Sequence, residues 1–160
     1  MLKKRSRSRA RAGSTRGVNG SLVEHGLRRT RQRVALYKAL AATKSHPTAE
    51  QLFLDAKQRL CGRARGLSLA TVYNTLEAFT DCGLVQKFAC KDGPARYDAN
   101  VANHPHLCDL GTGKIFDVPD HLSAKLLAGV PKAVLQAIEA SMDCKIQHVR
   151  IELIAAARQA

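Results

Sequence analysis

Five side chains in this 160-residue chain carry metal-ligand chemistry: His46, Asp98, His104, His106 and Asp117. His46 opens HPTAEQL, Asp98 closes ARYD, and the other three lie in NHPHLCDLGTGKIFDV. His104 and His106 form an H-x-H pair. Residues two apart on a strand face the same side, so both imidazoles could bind one ion. Three imidazole nitrogens and two carboxylate oxygens suit Fe(II), Mn(II) or Zn(II). Singly, each signal has a plainer reading: a His before Pro as a cap or surface residue, an Asp after Tyr as a solvated loop residue. Asp98 falls between the two halves of the chain, so an ion held there could fix one half against the other. A metal-dependent hydrolase is the enzymatic alternative. It needs an open coordination position with a general base beside it, and no further acidic residue stands at a motif-like spacing near the cluster.

A second chemistry lies in LSLATVYNTLEAFTDCGLV, residues 67–85. Ser68 is a good N-cap, and Val72, Leu76 and Phe79, with Leu69 beside them, repeat at the spacing of an amphipathic helix. Ala70, Thr71, Asn74 and Ala78 fall on the other face, with Tyr73 on its flank. A short helix with a small, hydrogen-bonding outer face suits the major groove of DNA. Ser68, Thr71, Tyr73 and Asn74 are its candidate DNA contacts.

The elements that must position these residues follow from caps and periodicity. Thr30 caps a helix through Val34, Tyr37 and Leu40. Arg28, Arg29, Arg31 and Arg33 crowd its start, where the helix dipole disfavours cations. A phosphate backbone nearby explains the cluster, with a plain solvated face as the alternative; Arg28, Arg31 and Arg33 are candidate contacts. Thr48 and Gln51 form a capping box for a second helix carrying Leu52, Phe53, Ala56 and Leu60. The glycine-containing basic linker CGRARGL leads into the Ser68 helix. Helix, helix, basic turn, helix is helix-turn-helix order. Gly83 stops the third helix. Residues 84–90 and 95–98 then flank Lys91-Asp92-Gly93-Pro94, a hairpin signal that supplies a wing. Lys87, Lys91 and Arg96 are its candidate phosphate contacts.

From His104 the pattern changes. Residues 107–110 and 114–118 are strand-like around Gly111-Thr112-Gly113. Asp120 is placed to cap a short helix, and Pro131 to occupy the first position of another running to about Met142. Residues 145–154 alternate as a half-buried strand, with Val149, Ile151 and Leu153 on one side. The fold class is therefore α+β. A basic tail is expected over residues 1–20, a winged helix-turn-helix DNA-binding domain over 21–98, and a small α+β dimerisation and metal-sensing domain over 99–160. So small a second unit makes pairing with another copy plausible, and a homodimer would read a palindromic operator.

Composition agrees. The formal net charge is +13, which predicts a polyanionic partner, usually nucleic acid. Residues 1–20 hold seven of the 26 basic residues and no acid. That tail is expected to be disordered, either sliding along phosphates or simply solvated. No apolar run approaches a membrane span, and the N-terminus has no apolar signal region. Five cysteines without a CxxC pair argue against a disulfide framework and fit a reducing cytoplasm.

LRRTRQRVALYKAL, HPTAEQL, LSLATVYNTLEAFTDCGLVQKF, ARYD and the H-x-H…GKIFD block together resemble the ferric uptake regulator (Fur) family over about residues 24–155. The resemblance implies a dimeric, metal-responsive repressor with a winged helix and a C-terminal dimerisation domain. It implies one divalent metal per subunit at the hinge, on His46, Asp98, His104, His106 and Asp117, and bases read by Tyr73. Asn74 stands where many iron sensors have Arg and the peroxide-sensing members have Asn. Asp117 likewise matches the peroxide sensors, where iron sensors usually have Glu. In those sensors bound Fe(II) reacts with peroxide and oxidises a ligand His, which the resemblance places at His46 or His104. The alternatives are iron or manganese homeostasis without peroxide sensing, and a metal-independent DNA-binding paralogue. Many members hold a structural zinc with two CxxC pairs. Here the positions matching the first pair read Asp109 and Thr112 and no second pair follows, so no four-cysteine zinc is expected. A further site in some members falls on Asn103, Pro105 and Val149, with His148 offset by one, and is expected to be absent. Zinc sensors place a Cys where Asp98 supplies oxygen, and the Cys-Pro of haem-responsive members is missing.

Overall fold

The computed structural model describes residues 15–60, 66–89 and 93–156. Four helices come first: α1 (Thr15–Glu24), α2 (Arg31–Ala41), α3 (Ala49–Arg59) and α4 (Leu69–Asp81). A two-stranded antiparallel hairpin follows, β1 (Gln86–Phe88) with β2 (Arg96–Asp98). Then come β3 (His106–Asp109), β4 (Lys114–Asp117), α5 (Asp120–Ala128), α6 (Lys132–Met142) and β5 (Glu152–Ala155). The second sheet has the order β4-β3-β5, antiparallel between β3 and β4 and parallel between β3 and β5.

Local chemistry sets the helix starts. The Thr30 hydroxyl accepts from the Arg33 amide, and Thr48 and Gln51 satisfy each other's backbone amides in a complete capping box. Ser68 accepts from the Thr71 amide. The end of α4 is equally specified. Gly83 has φ of 73°; its amide donates to the Thr80 carbonyl, and the Leu84 amide donates to that of Phe79. That is the Schellman arrangement, which requires a left-handed residue after the cap and brings Leu84 back onto Phe79. Both are buried in the main core with Leu36, Leu40, Leu52, Val72, Leu76 and Tyr97. Tyr37 packs edge-on against Phe79 at 5.9 Å. A second, smaller core joins Phe88 of the wing to Cys108 and Ile115 of the C-terminal sheet.

Several expectations are corrected. Residues 15–20 belong to α1, not to a disordered tail, because Leu22 is fully buried against the other helices; residues 1–14 lie outside the described residues. The buried face of α2 is Ala35, Leu36, Ala39 and Leu40, with Val34 and Tyr37 only half-buried. Leu69 sits at the first helical position of α4 and is exposed, too early to share the Val72–Leu76–Phe79 stripe. Asp120 is the first residue of α5, not its cap; the cap position is Pro119, which has no side-chain hydrogen bond to give. Pro131 likewise sits at the cap of α6, one position before the expected one. Of the alternating 145–154 run, strand begins only at Glu152, because β3 offers four residues for the ladder.

Candidate metal centre

Each ligand is delivered by its local structure. His46 lies in the α2–α3 connection, 2% exposed, with φ of 48°. Its Nδ1 is 3.2 Å from the Ile115 carbonyl. A carbonyl only accepts, so Nδ1 carries the proton and Nε2 presents a bare lone pair. His104 repeats the device, with Nδ1 donating to the Ala102 carbonyl at 2.7 Å. His106 and Asp117 are register partners at the start of β3 and the end of β4, so their side chains leave the sheet on one face. Asp98 ends β2; its Oδ1 accepts from the Asn100 amide at 2.8 Å, which leaves Oδ2 free to turn inward. Phe88 forms an apolar wall, 4.4 Å from the His106 ring and 5.8 Å from that of His46.

The five side chains converge. One ligand atom from each lies within 4.8 Å of every other. Nε2 of His46 is 3.0 Å from Asp117 Oδ1 and 3.5 Å from Asp98 Oδ2. The His104 Nε2 is 3.2 Å from both carboxylate oxygens, and that of His106 is 3.7 and 3.6 Å from them. Donors bonded to one ion at about 2.0–2.2 Å and at right angles to each other lie roughly 3 Å apart, so the spacing fits. The donor set fits as well. His46 Nε2, Asp98 Oδ2 and both nitrogens of His106 are buried with no hydrogen-bond partner. Such atoms are costly to bury unless something coordinates them. The two carboxylates give the set a negative field that attracts a dication.

Protons feel the same field. Burial pushes the His46 imidazole down, but the Asp98 and Asp117 carboxylates beside it outweigh burial and hold the net value above the ordinary one. For Asp98 burial pushes upward, yet the His106 and His46 imidazoles close by and the hydrogen bond from the Asn100 amide hold it well below the usual carboxylate range. Asp117 is the open side of the site, its side chain 30% exposed.

The candidate DNA contacts fall into three groups. Arg28, Arg31, Tyr73, Asn74 and Lys87 are exposed. Ser68 and Thr71 are tied to each other at the start of α4, hydroxyl to hydroxyl at 2.9 Å. Arg33 is half-buried, and its guanidinium donates to the Arg28 carbonyl. Lys91 lies outside the described residues. Arg96 is the correction. It is 9% exposed, and its guanidinium donates to the carbonyls of His46 and Gly113, so it faces the interior and not a phosphate. Two further features escaped the sequence. The Tyr73 hydroxyl donates to Glu50 on the first turn of α3. Arg29, Arg31, Lys38 and Arg59 line an open cleft between the start of α2 and the end of α3.

The family model for the ferric uptake regulator family matches residues 24–153. The chain belongs to the ferric uptake regulator family. Fur-family proteins are transcriptional regulators, not enzymes, which removes the hydrolase alternative. Among curated relatives, the peroxide-responsive repressor PerR of Staphylococcus epidermidis is 38% identical over 97 residues, spanning 61% of this chain and 62% of that protein. The chain thus covers less than two thirds of the curated relative it matches. A solved zinc-bound manganese uptake regulator aligns over 88% of this chain and 98% of its own, at 25% identity and a TM-score of 0.58. The Pseudomonas aeruginosa ferric uptake regulator with manganese shares the fold, with a TM-score of 0.64 at 24% identity over 88% of this chain and 98% of its own. These agree with the α+β architecture of a helical N-terminal part and a C-terminal mixed sheet with helices.

Proposed function

We propose that this protein is a metal-dependent repressor that binds a palindromic operator on double-stranded DNA as a homodimer. The observation that carries the reading is the convergence of five ligand atoms within 4.8 Å. They come from the α2–α3 loop, the wing, the segment just before β3 and the C-terminal sheet. Holding one Fe(II) or Mn(II), with Zn(II) a competitor, the set ties the winged helix to the C-terminal unit. The metal signal is then the free energy by which occupancy favours one orientation of the wings. The boundaries follow: a winged helix to Asp98, and dimerisation and metal sensing from residue 99. Its ligands are His46, Asp98, His104, His106 and Asp117. Its DNA contacts come from Arg28, Arg31, Arg33, Ser68, Thr71, Tyr73, Asn74 and Lys87.

A homodimer is supported by exposed apolar side chains in the C-terminal unit. Val134, Ile138 and Met142 on α6 and Leu153 and Ile154 on the edge strand β5 are exposed, and α6 buries no residue. The site of action is the cytoplasm, with the DNA. Gel shifts test the metal reading. Mn(II) is expected to tighten DNA binding, and chelator or His104→Ala to abolish the gain; equal affinity in all three overturns it in favour of a metal-independent paralogue.

The finer reading is peroxide sensing. It is supported by the 38% identity to the Staphylococcus epidermidis repressor and by Asn74 and Asp117. Bound as Fe(II), the ion supplies reduction of peroxide, with the His46 and His104 imidazoles beside it as oxidisable groups. This chain's residues exclude water on the Phe88 side and leave the Asp117 side open. Mass spectrometry after Fe(II) and peroxide is expected to show one added oxygen on the peptide holding His46 or His104, absent with Mn(II). Unmodified peptides would leave metal homeostasis as the signal.

A further inference from the structure

Arg96 is a buried cation whose bonds go to backbone. Its Nη1 donates to the His46 carbonyl at 3.0 Å, and its Nε to the Gly113 carbonyl. Among the described residues no carboxylate pairs with it. Three segments meet there. His46 is in the α2–α3 loop, Gly113 precedes β4, and Arg96 itself is on β2, two residues before Asp98. Each segment also delivers a ligand: His46, then Asp117 at the end of β4, then Asp98.

The backbone of His46 needs such support. A non-glycine residue at φ of 48° is strained, and it persists only where its surroundings over-determine it. The loop is held to β2 by the guanidinium, by the Tyr97 amide donating to the Pro47 carbonyl at 3.1 Å, and by the bridge between Thr48 and Arg96. The guanidinium also reaches onward to the β3–β4 turn, at the Gly113 carbonyl. Two carbonyls in different directions require a fork of donors, which Arg has and Lys lacks.

We propose that Arg96 is a positioning residue for the metal centre, holding the His46 backbone against the β3–β4 turn so that the His46 imidazole enters the ligand set. The inference rests on the metal-binding reading above. It places this arginine in the switch and not on the DNA.

The test is Mn(II) titration of the full chain with Arg96→Gln and Arg96→Lys, each alone and combined with His46→Ala. Arg96→Gln is expected to weaken binding by about 10- to 100-fold, the range for groups that orient a ligand, and Arg96→Lys by less. In the His46→Ala background both should cost nothing further, because the ligand through which Arg96 acts is gone. A purely structural arginine would weaken binding by the same factor in both backgrounds, which overturns the proposal, as does unchanged affinity. Should Arg96→Gln fail to fold, Arg96→Lys, which keeps the charge and N–H donors but not the planar fork, carries the same comparison. Wild-type protein that takes up no Mn(II) would instead overturn the metal reading itself.

Discussion

His46 shows what a single residue must do at this centre. Its ring gives one nitrogen to the Ile115 carbonyl and the other to the ligand cluster, and its own carbonyl is held by Arg96. With the metal removed, protons take its place. The His46 pKa is raised, so its contribution to stability is full below the ordinary imidazole value and is lost as pH rises through the folded-state value. The Asp98 pKa is lowered, so its contribution is present above the ordinary carboxylate range and lost only as pH falls through the depressed value. Metal-free protein should therefore lose thermal stability as pH rises above the ordinary imidazole value, which melts over a pH series measure. Mn(II) requires the neutral imidazole, so its affinity should move oppositely and climb over the same interval. An affinity independent of pH there would mean that no imidazole is displaced from a proton.

At the scale of elements, the join between α4 and the wing fixes how the proposed reading helix sits against the strand that ends at Asp98. Gly83 makes that join with φ of 73°, and the chain runs directly from Leu84 and Val85 in the core to β1. An alanine there would be forced into a left-handed conformation, at a cost on the order of 1–2 kcal/mol. Gly83→Ala should lower the urea midpoint accordingly and leave the denaturant slope unchanged. Phe79, on the other side of the same motif, is fully buried, and Phe79→Ala should cost about 3–5 kcal/mol. At the start of α4, the Tyr73–Glu50 hydrogen bond links the helix to α3, four residues after His46. The β3–β4 turn has its own tie: Asp109 accepts from the Thr112 hydroxyl at 2.6 Å and from the Gly111 amide at 2.9 Å.

For the whole molecule, the charge and the apolar surface divide the labour. The helical half carries exposed arginines; the C-terminal half carries an exposed apolar surface that includes Met142, at 70%, and Ile154, at 68%. Among the described residues no helix is long and apolar enough to cross a membrane. A second copy is the occupant proposed for that face. Ile154→Lys and Val134→Glu should convert a dimer to a monomer in sedimentation. Mn(II) uptake should survive, because all five ligands come from one chain. DNA affinity should fall, since the two-fold readout is lost. A variant that sediments as the wild type would place the interface elsewhere.

The sequence by itself was enough to nominate all five ligands, the caps Thr30, Thr48 and Ser68, the two hairpins and the family. Each of these depends on residues within a few positions of one another, or on motifs quoted whole. It misplaced Arg96, because an arginine beside a wing turn reads as a phosphate contact until the fold shows the His46 carbonyl, 50 residues away, in front of it. It missed Glu50 as the partner of Tyr73, 23 residues apart, for the same reason. It overextended the last strand, because alternation marks which side chains share a side but not how much partner strand is available. Helix starts are local hydrogen-bond problems and are written in local residues. The joint that would couple the metal to the wing is made by pairs 17–69 residues apart, and only the folded chain decides which of them meet.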